Sequence, residues 1–221
     1  MHRVPIVPGE SSYCVAVNKK QNPAASSSAT NDQNSSTSAK EPSYHHDKTL
    51  IFTTSISKGI LPWRFNNAYD QGWASFARFP GAKAEYMETY ISPRMENEKP
   101  SVVILQAGGN DLPKNSRGVA IPIVTVANSI ITAGLACKHK YGAQHVLIGG
   151  VTTRKGNALK LRCDDLNETL RSLCQLNNFT FIDNSDIKEH HLYDGMHLKD
   201  DGTKILAGNY LNALHEIHQP A

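Results

Sequence analysis

The sequence has no apolar run approaching the 18 or so residues that a membrane helix needs. It also has no C-x-x-C pair, no Walker A segment, no G-x-G-x-x-G run and no G-x-S-x-G elbow. These absences exclude a helical membrane protein, the common nucleotide-binding folds and the α/β-hydrolase nucleophile turn. Charge of one sign is also scarce: 23 basic against 20 acidic side chains leave a formal net charge of +3, too little and too evenly spread to imply nucleic-acid or membrane binding. Cys14, Cys137, Cys163 and Cys174 lack zinc-like spacing, and Cys137 and Cys174 fall in apolar stretches, so reduced, packed thiols are expected. The first ten residues lack the apolar run of a secretory signal; the expectation is a soluble, intracellular, cytoplasmic protein without cofactor, in which the sequons at Asn34, Asn167 and Asn178 are chance matches.

What is present divides the chain in two. From Asn18 to His46 it is Ser, Asn, Ala, Lys and Gln with almost no large apolar residue, a composition that buries too little surface to offset chain entropy. Residues 1–46 are therefore read as a disordered low-complexity leader, and the pairs Lys19-Lys20 and His45-His46 as solvated tail. Residues 47–218 form one domain in this reading.

After Asp47, short apolar runs alternate with amphipathic stretches, the pattern of βα units. Strands are predicted at Thr49 to Thr53, Ala74 to Phe79, Val102 to Ala107, His145 to Gly149, and Phe179 to Asp183. Helices are predicted at Ala82 to Ile91, Val119 to Tyr141, Leu159 to Leu176, and Asp200 to His215. Right-handed crossovers then give a three-layer α/β/α sandwich around a five-stranded parallel sheet, with chemistry at the carboxyl ends of the strands.

Four segments follow predicted strands. Ser55 in Thr53-Thr54-Ser55-Ile56-Ser57 stands where the first strand ends, as a nucleophile or as a helix N-cap, a role Ser57 could also fill. Gly81 in Phe79-Pro80-Gly81-Ala82 allows a close backbone approach to a ligand or simply makes a turn. Asn110 in Gly108-Gly109-Asn110-Asp111 brings an amide to the same edge, where with the N–H groups of Ser55 and Gly81 it would give three donors to one oxyanion. Asp194-Gly195-Met196-His197 supplies an acid and a base three residues apart.

Together these segments, in this order, resemble the sequence blocks of the SGNH, or GDSL-type, hydrolases, across about Thr49 to His215. The resemblance implies a flavodoxin-like α/β/α fold and a serine esterase acting on small acyl, including acetyl, esters. It implies Ser55, Asp194 and His197 as the catalytic residues and Ser55, Gly81 and Asn110 as the oxyanion hole. More narrowly, Phe52 to Ile60, Phe79 to Ala82 and Leu192 to Gly208 are similar to SGNH domains of invertebrate mobile elements and non-LTR retrotransposon proteins. The first block departs from the pattern, since the family's Gly-Asp-Ser is Thr53-Thr54-Ser55 here. The β-branched Thr53 disfavours unusual backbone angles and Thr54 lacks a carboxylate, so a displaced serine and weakened turnover are expected.

Two other readings stand beside the esterase. One is a binding module for nucleic acid or protein, with Arg154-Lys155 as a basic loop and Lys160 and Arg162 nearby or, more plainly, as a solvated face. The other makes His190, His191, Asp194 and His197 a metal site.

Overall fold

The computed structural model describes residues 47–219. The leader, Cys14, Asn34 and the Lys19-Lys20 and His45-His46 pairs lie outside the described residues.

Five strands, β1 (Asp47–Thr53), β2 (Gly72–Arg78), β3 (Val102–Gln106), β4 (His145–Gly149) and β5 (Thr180–Ile182), form one parallel sheet in the order β2-β1-β3-β4-β5. The alternation along the central strands decides what packs where. Leu50, Phe52, Val103, Leu105, Val146 and Ile148 enter one buried cluster, while Ile51, Val102, Ile104 and Leu147 enter another. Helices α2 (Met87–Glu98), α3 (Ile123–Leu135) and α4 (Asn157–Asn177) contribute to the first cluster, and α1 (Pro62–Ala68) and α5 (Asp200–His218) to the second. The result is the three-layer α/β/α arrangement expected from the alternating pattern. β2, whose alternation is weakest in the sequence, lies at the sheet edge, where burial is only partial.

Three helices depart from the sequence reading. The helix expected at Ala82 to Ile91 starts later: Ala84–Tyr86 is a 3-10 turn, and α2 runs on through Pro93 to Glu98 before Lys99 turns left-handed at φ 45°. The long helix expected from Val119 begins after Pro122, a residue suited to a helix start, and ends in a π turn at Ala136–Lys140. α1 has no counterpart among the expected helices; it is only seven residues long, shows no clear apolar period, and is anchored by buried Phe65.

With β2 on one side of β1 and β3 on the other, chain direction across the sheet reverses at β1. A crevice opens at the carboxyl ends of strands flanking such a switch point. The segments after β1, β2 and β3 carry Ser55, Gly81 and Asn110.

Candidate active site

The turn after β1 is built from ordinary backbone. Thr53 is the last residue of the strand, and Thr54 is extended (φ −97°, ψ −158°), a conformation that β-branched residues favour. The strain expected from replacing Gly-Asp by Thr-Thr is therefore absent from this turn. Ser55–Ser57 is one 3-10 turn whose N-cap position is Thr54, without a side-chain cap. Ser55 is thus not the N-cap that its residue type allowed, and buried Ser57 Oγ makes no hydrogen bond among the described residues.

The Ser55 hydroxyl instead lies 3.1 Å from His197 Nε2, across 142 residues of sequence. His197 Nδ1 lies 2.7 Å from Asp194 Oδ2. The second carboxylate oxygen, Oδ1, accepts the backbone N–H of Met196 at 2.9 Å and of His197 at 2.7 Å. The His197 side chain, and then the His197 and Met196 N–H groups, hold the Asp194 carboxyl well below the usual carboxylate range. With Asp194 accepting the Nδ1 proton, Nε2 is left as the acceptor facing the serine.

This loop is positioned by local packing. Leu192 and Leu198, both buried, face each other in an antiparallel bridge, and the Tyr193 N–H donates to the His197 carbonyl at 3.0 Å. Gly195 turns at φ +81° against Lys155, and the Lys155 N–H donates to its carbonyl at 2.9 Å. Two leucines pointing into the core thus pin a short hairpin that presents Asp194 and His197.

Gly81 sits in the turn after β2 at φ +77°, with open space where a side chain would be. Among the described residues, neither its N–H nor that of Ser55 has a hydrogen-bond acceptor. Asn110 is partly spent: its Nδ2 donates to the Ala82 carbonyl at 2.8 Å, leaving one amide hydrogen. Its neighbour Asp111 is 3% exposed and accepts the Ala84 N–H at 3.1 Å, and burial pushes its carboxyl up to about 6. These two bonds clamp the Gly81 turn to the Gly108–Asp111 turn.

The basic loop differs from the solvated face expected. Arg154 is 6% exposed; its Nη1 donates to Thr152 Oγ1 at 3.1 Å, the Thr153 carbonyl at 3.4 Å and the Met196 carbonyl at 3.1 Å. Arg162 is turned inward as well, onto the Leu112 and Ile121 carbonyls at 2.8 and 2.6 Å. Only Lys155 and Lys160 fit the expectation. Residue type alone could not reveal this, because the Met196, Leu112 and Ile121 carbonyls that accept these guanidiniums lie 41 to 50 residues away in the chain.

The sequence reading also missed a buried polar support beneath the site. Gln106 Nε2 donates to the Gly150 carbonyl at 2.8 Å, and its Oε1 accepts from Asn184 Nδ2 and Tyr210 Oη, each at 3.3 Å. A side chain on Gly149 would collide with Gln106, so that glycine is fixed by close approach. A polar residue closing an otherwise apolar strand was the available signal.

As for a metal, both nitrogens of His197 are engaged, and His191 Nδ1 accepts the Lys188 N–H at 3.0 Å. Among the described residues, no group of three His, Cys, Asp or Glu side chains converges to hold one.

No family model and no curated protein matches the sequence. Solved structures do match. An acetyl xylan esterase superposes with a TM-score of 0.65 at 20% identity, over 76% of this chain and 99% of that one. A lipase/acylhydrolase from Enterococcus faecalis gives 0.65 at 18% identity, over 80% and 99%, and a GDSL-like lipase from Bacteroides thetaiotaomicron gives 0.65 at 15%, over 77% and 89%. The chain has the SGNH hydrolase fold. Within that fold, Ser55, Gly81, Asn110 and the Asp194–His197 pair stand at one edge of the sheet, in the block order read from the sequence.

Proposed function

We propose that this protein is a serine esterase that hydrolyses small acyl esters. The observation that carries the reading is the hydrogen-bonded chain from Ser55 Oγ through His197 to Asp194, brought together from opposite ends of the domain. His197 Nε2 takes the Ser55 proton as the hydroxyl attacks the ester carbonyl. Negative charge on the carbonyl oxygen is met by the free N–H groups of Ser55 and Gly81 and the remaining Asn110 amide hydrogen. Preorganised donors of this kind contribute about 10²–10³ in rate each. His197 returns its proton to the leaving alcohol, and water then cleaves the acyl-enzyme with His197 again as base. Asp194 holds the productive tautomer and stabilises the imidazolium. Acetyl esters are favoured by analogy with the acetyl xylan esterase of like fold.

The full chain should react with a fluorophosphonate probe and release p-nitrophenol from p-nitrophenyl acetate, and both signals should vanish in folded Ser55→Ala. A folded wild type that neither labels nor turns over would reject the reading in favour of a non-catalytic binding module. For that module as a nucleic-acid binder the structure offers little, since Arg154 is buried and Arg162 is committed to carbonyls. A mobile-element relationship rests on the sequence motifs alone.

A further inference from the structure

Arg154 carries a buried charge at this sheet edge that the fold answers only in part: the Asp194 carboxylate favours it electrostatically without forming an ion pair. Its guanidinium is buried, yet no carboxylate lies within ion-pair distance among the described residues. Burying a cation is costly unless an anion or several acceptors compensate it. Nη1 is saturated by three oxygens, but among the described residues Nε is buried without a partner and Nη2 makes no hydrogen bond. That free edge is the fork a guanidinium uses for anionic oxygens. Nη2 lies against Gly109, where any side chain would collide with it.

Arg154 lines a cavity of about 10 Å³, room for about one water-sized group. Thr54 and Ile56, the neighbours of Ser55, form one wall, and Gly109, Val151 and Thr152 form much of the rest. Thr54 stands where the resembled family has Asp, so this chain lacks a carboxylate at the position that borders the same cavity.

We propose that Arg154 forms a subsite beside Ser55 for an acceptor oxygen on the acyl group, selecting short acyl groups with a hydroxyl or carboxylate oxygen next to the carbonyl over plain hydrocarbon ones. The cavity has room for about one such atom. The proposal rests on the esterase reading for its turnover arm, and its binding arm is independent of turnover.

The turnover arm compares methyl acetate, methyl propionate, methyl glycolate and monomethyl oxalate with the full chain, following methanol release. A hydrogen bond to a charged donor contributes about 1.5–3 kcal/mol, so the oxygen-bearing esters should be favoured by about 10- to 100-fold in kcat/KM. Arg154→Met should erase that ratio, and Arg154→Lys should keep part of it. Thr54→Asp leaves the Nη1 contacts in place and puts an internal carboxylate at the cavity wall; it should also erase the ratio while raising Tm. The binding arm measures glycolate, oxalate and acetate on the same proteins by NMR titration. If the folded wild type hydrolyses no ester, glycolate and oxalate binding tighter than acetate, lost in Thr54→Asp, still supports the subsite. Equal affinities, or a uniform fall in kcat/KM for all esters in Arg154→Met and Thr54→Asp, would overturn it and leave Arg154 as a prop for the His197 loop.

Discussion

Lys58 Nζ lies 2.7 Å from Tyr193 Oη, a hydrogen bond that joins the turn carrying Ser55 to the loop carrying His197 without passing through either residue. The Tyr193 ring also stacks on the His197 imidazole, with centroids 5.7 Å apart and planes at 18°. The histidine is therefore held by Asp194 along its edge and by Tyr193 on its face.

Tyr193 is 53% exposed, so its truncation should cost little stability while loosening the imidazole. Tyr193→Ala is expected to lower kcat about 3- to 10-fold with an unfolding midpoint close to wild type, because a small misplacement of a reacting group is costly. Steady-state kinetics beside a urea titration checks this; a wild-type kcat would mean that the stacked ring does nothing for His197.

Asp194 makes a sharper case, because one carboxylate serves both the histidine ring and the backbone of its own turn. Asp194→Asn offers one oxygen for these two tasks and is expected to reduce kcat by about 10²–10⁴, the scale of losing the productive tautomer. The carboxyl is held low in the folded state, so its contribution to stability is full above the ordinary carboxylate value and declines as pH falls below it. The gap in unfolding midpoint between wild type and Asp194→Ala should accordingly narrow from pH 6 to pH 2. A gap that widens on acidification would contradict the sign.

Much of this was legible in the sequence because it depends on local pattern. β1, β3 and β4 are apolar runs buried on both faces, and the Asp-x-x-His spacing builds its own turn. What was not legible depends on partners distant in the chain. Arg154 looks like a solvated cation until Met196 is placed beside it. Pro93 looks like a helix stop, yet α2 continues through it, with Ile91 and Met95 buried on either side. Family comparison made Thr53-Thr54 look disruptive, whereas the extended backbone suits it.

That last point can be tested directly. Thr54 is extended and its hydroxyl donates no hydrogen bond among the described residues, so Thr54→Ala should keep kcat for p-nitrophenyl acetate within about threefold and cost about 1 kcal/mol of stability. Thr53→Gly, which restores the family residue, removes a buried side chain from β1. It should destabilise by about 1 kcal/mol or more with no gain in rate. A large rise in kcat in Thr53→Gly would show that the native turn misplaces Ser55.

Asp111 links stability to pH in the direction opposite to Asp194. Its carboxyl is pushed from 3.8 up to about 6, chiefly by burial and against the Ala84 N–H that favours its charged form. Between these values the folded chain holds a proton that the unfolded chain has released, so this residue makes stability fall as pH rises from about 4 to about 6, after which its effect is constant. Asp111→Asn is neutral throughout and keeps an oxygen for Ala84. It should therefore be more stable than wild type by about 1–2 kcal/mol at pH 8, with the difference shrinking towards zero near pH 4. Urea unfolding of both proteins at pH 4, 6 and 8 gives the comparison. If Asp111→Asn is instead the less stable protein at pH 8, the ionised carboxylate supplies the clamp on the Gly81 turn, and its charge stabilises that turn despite burial.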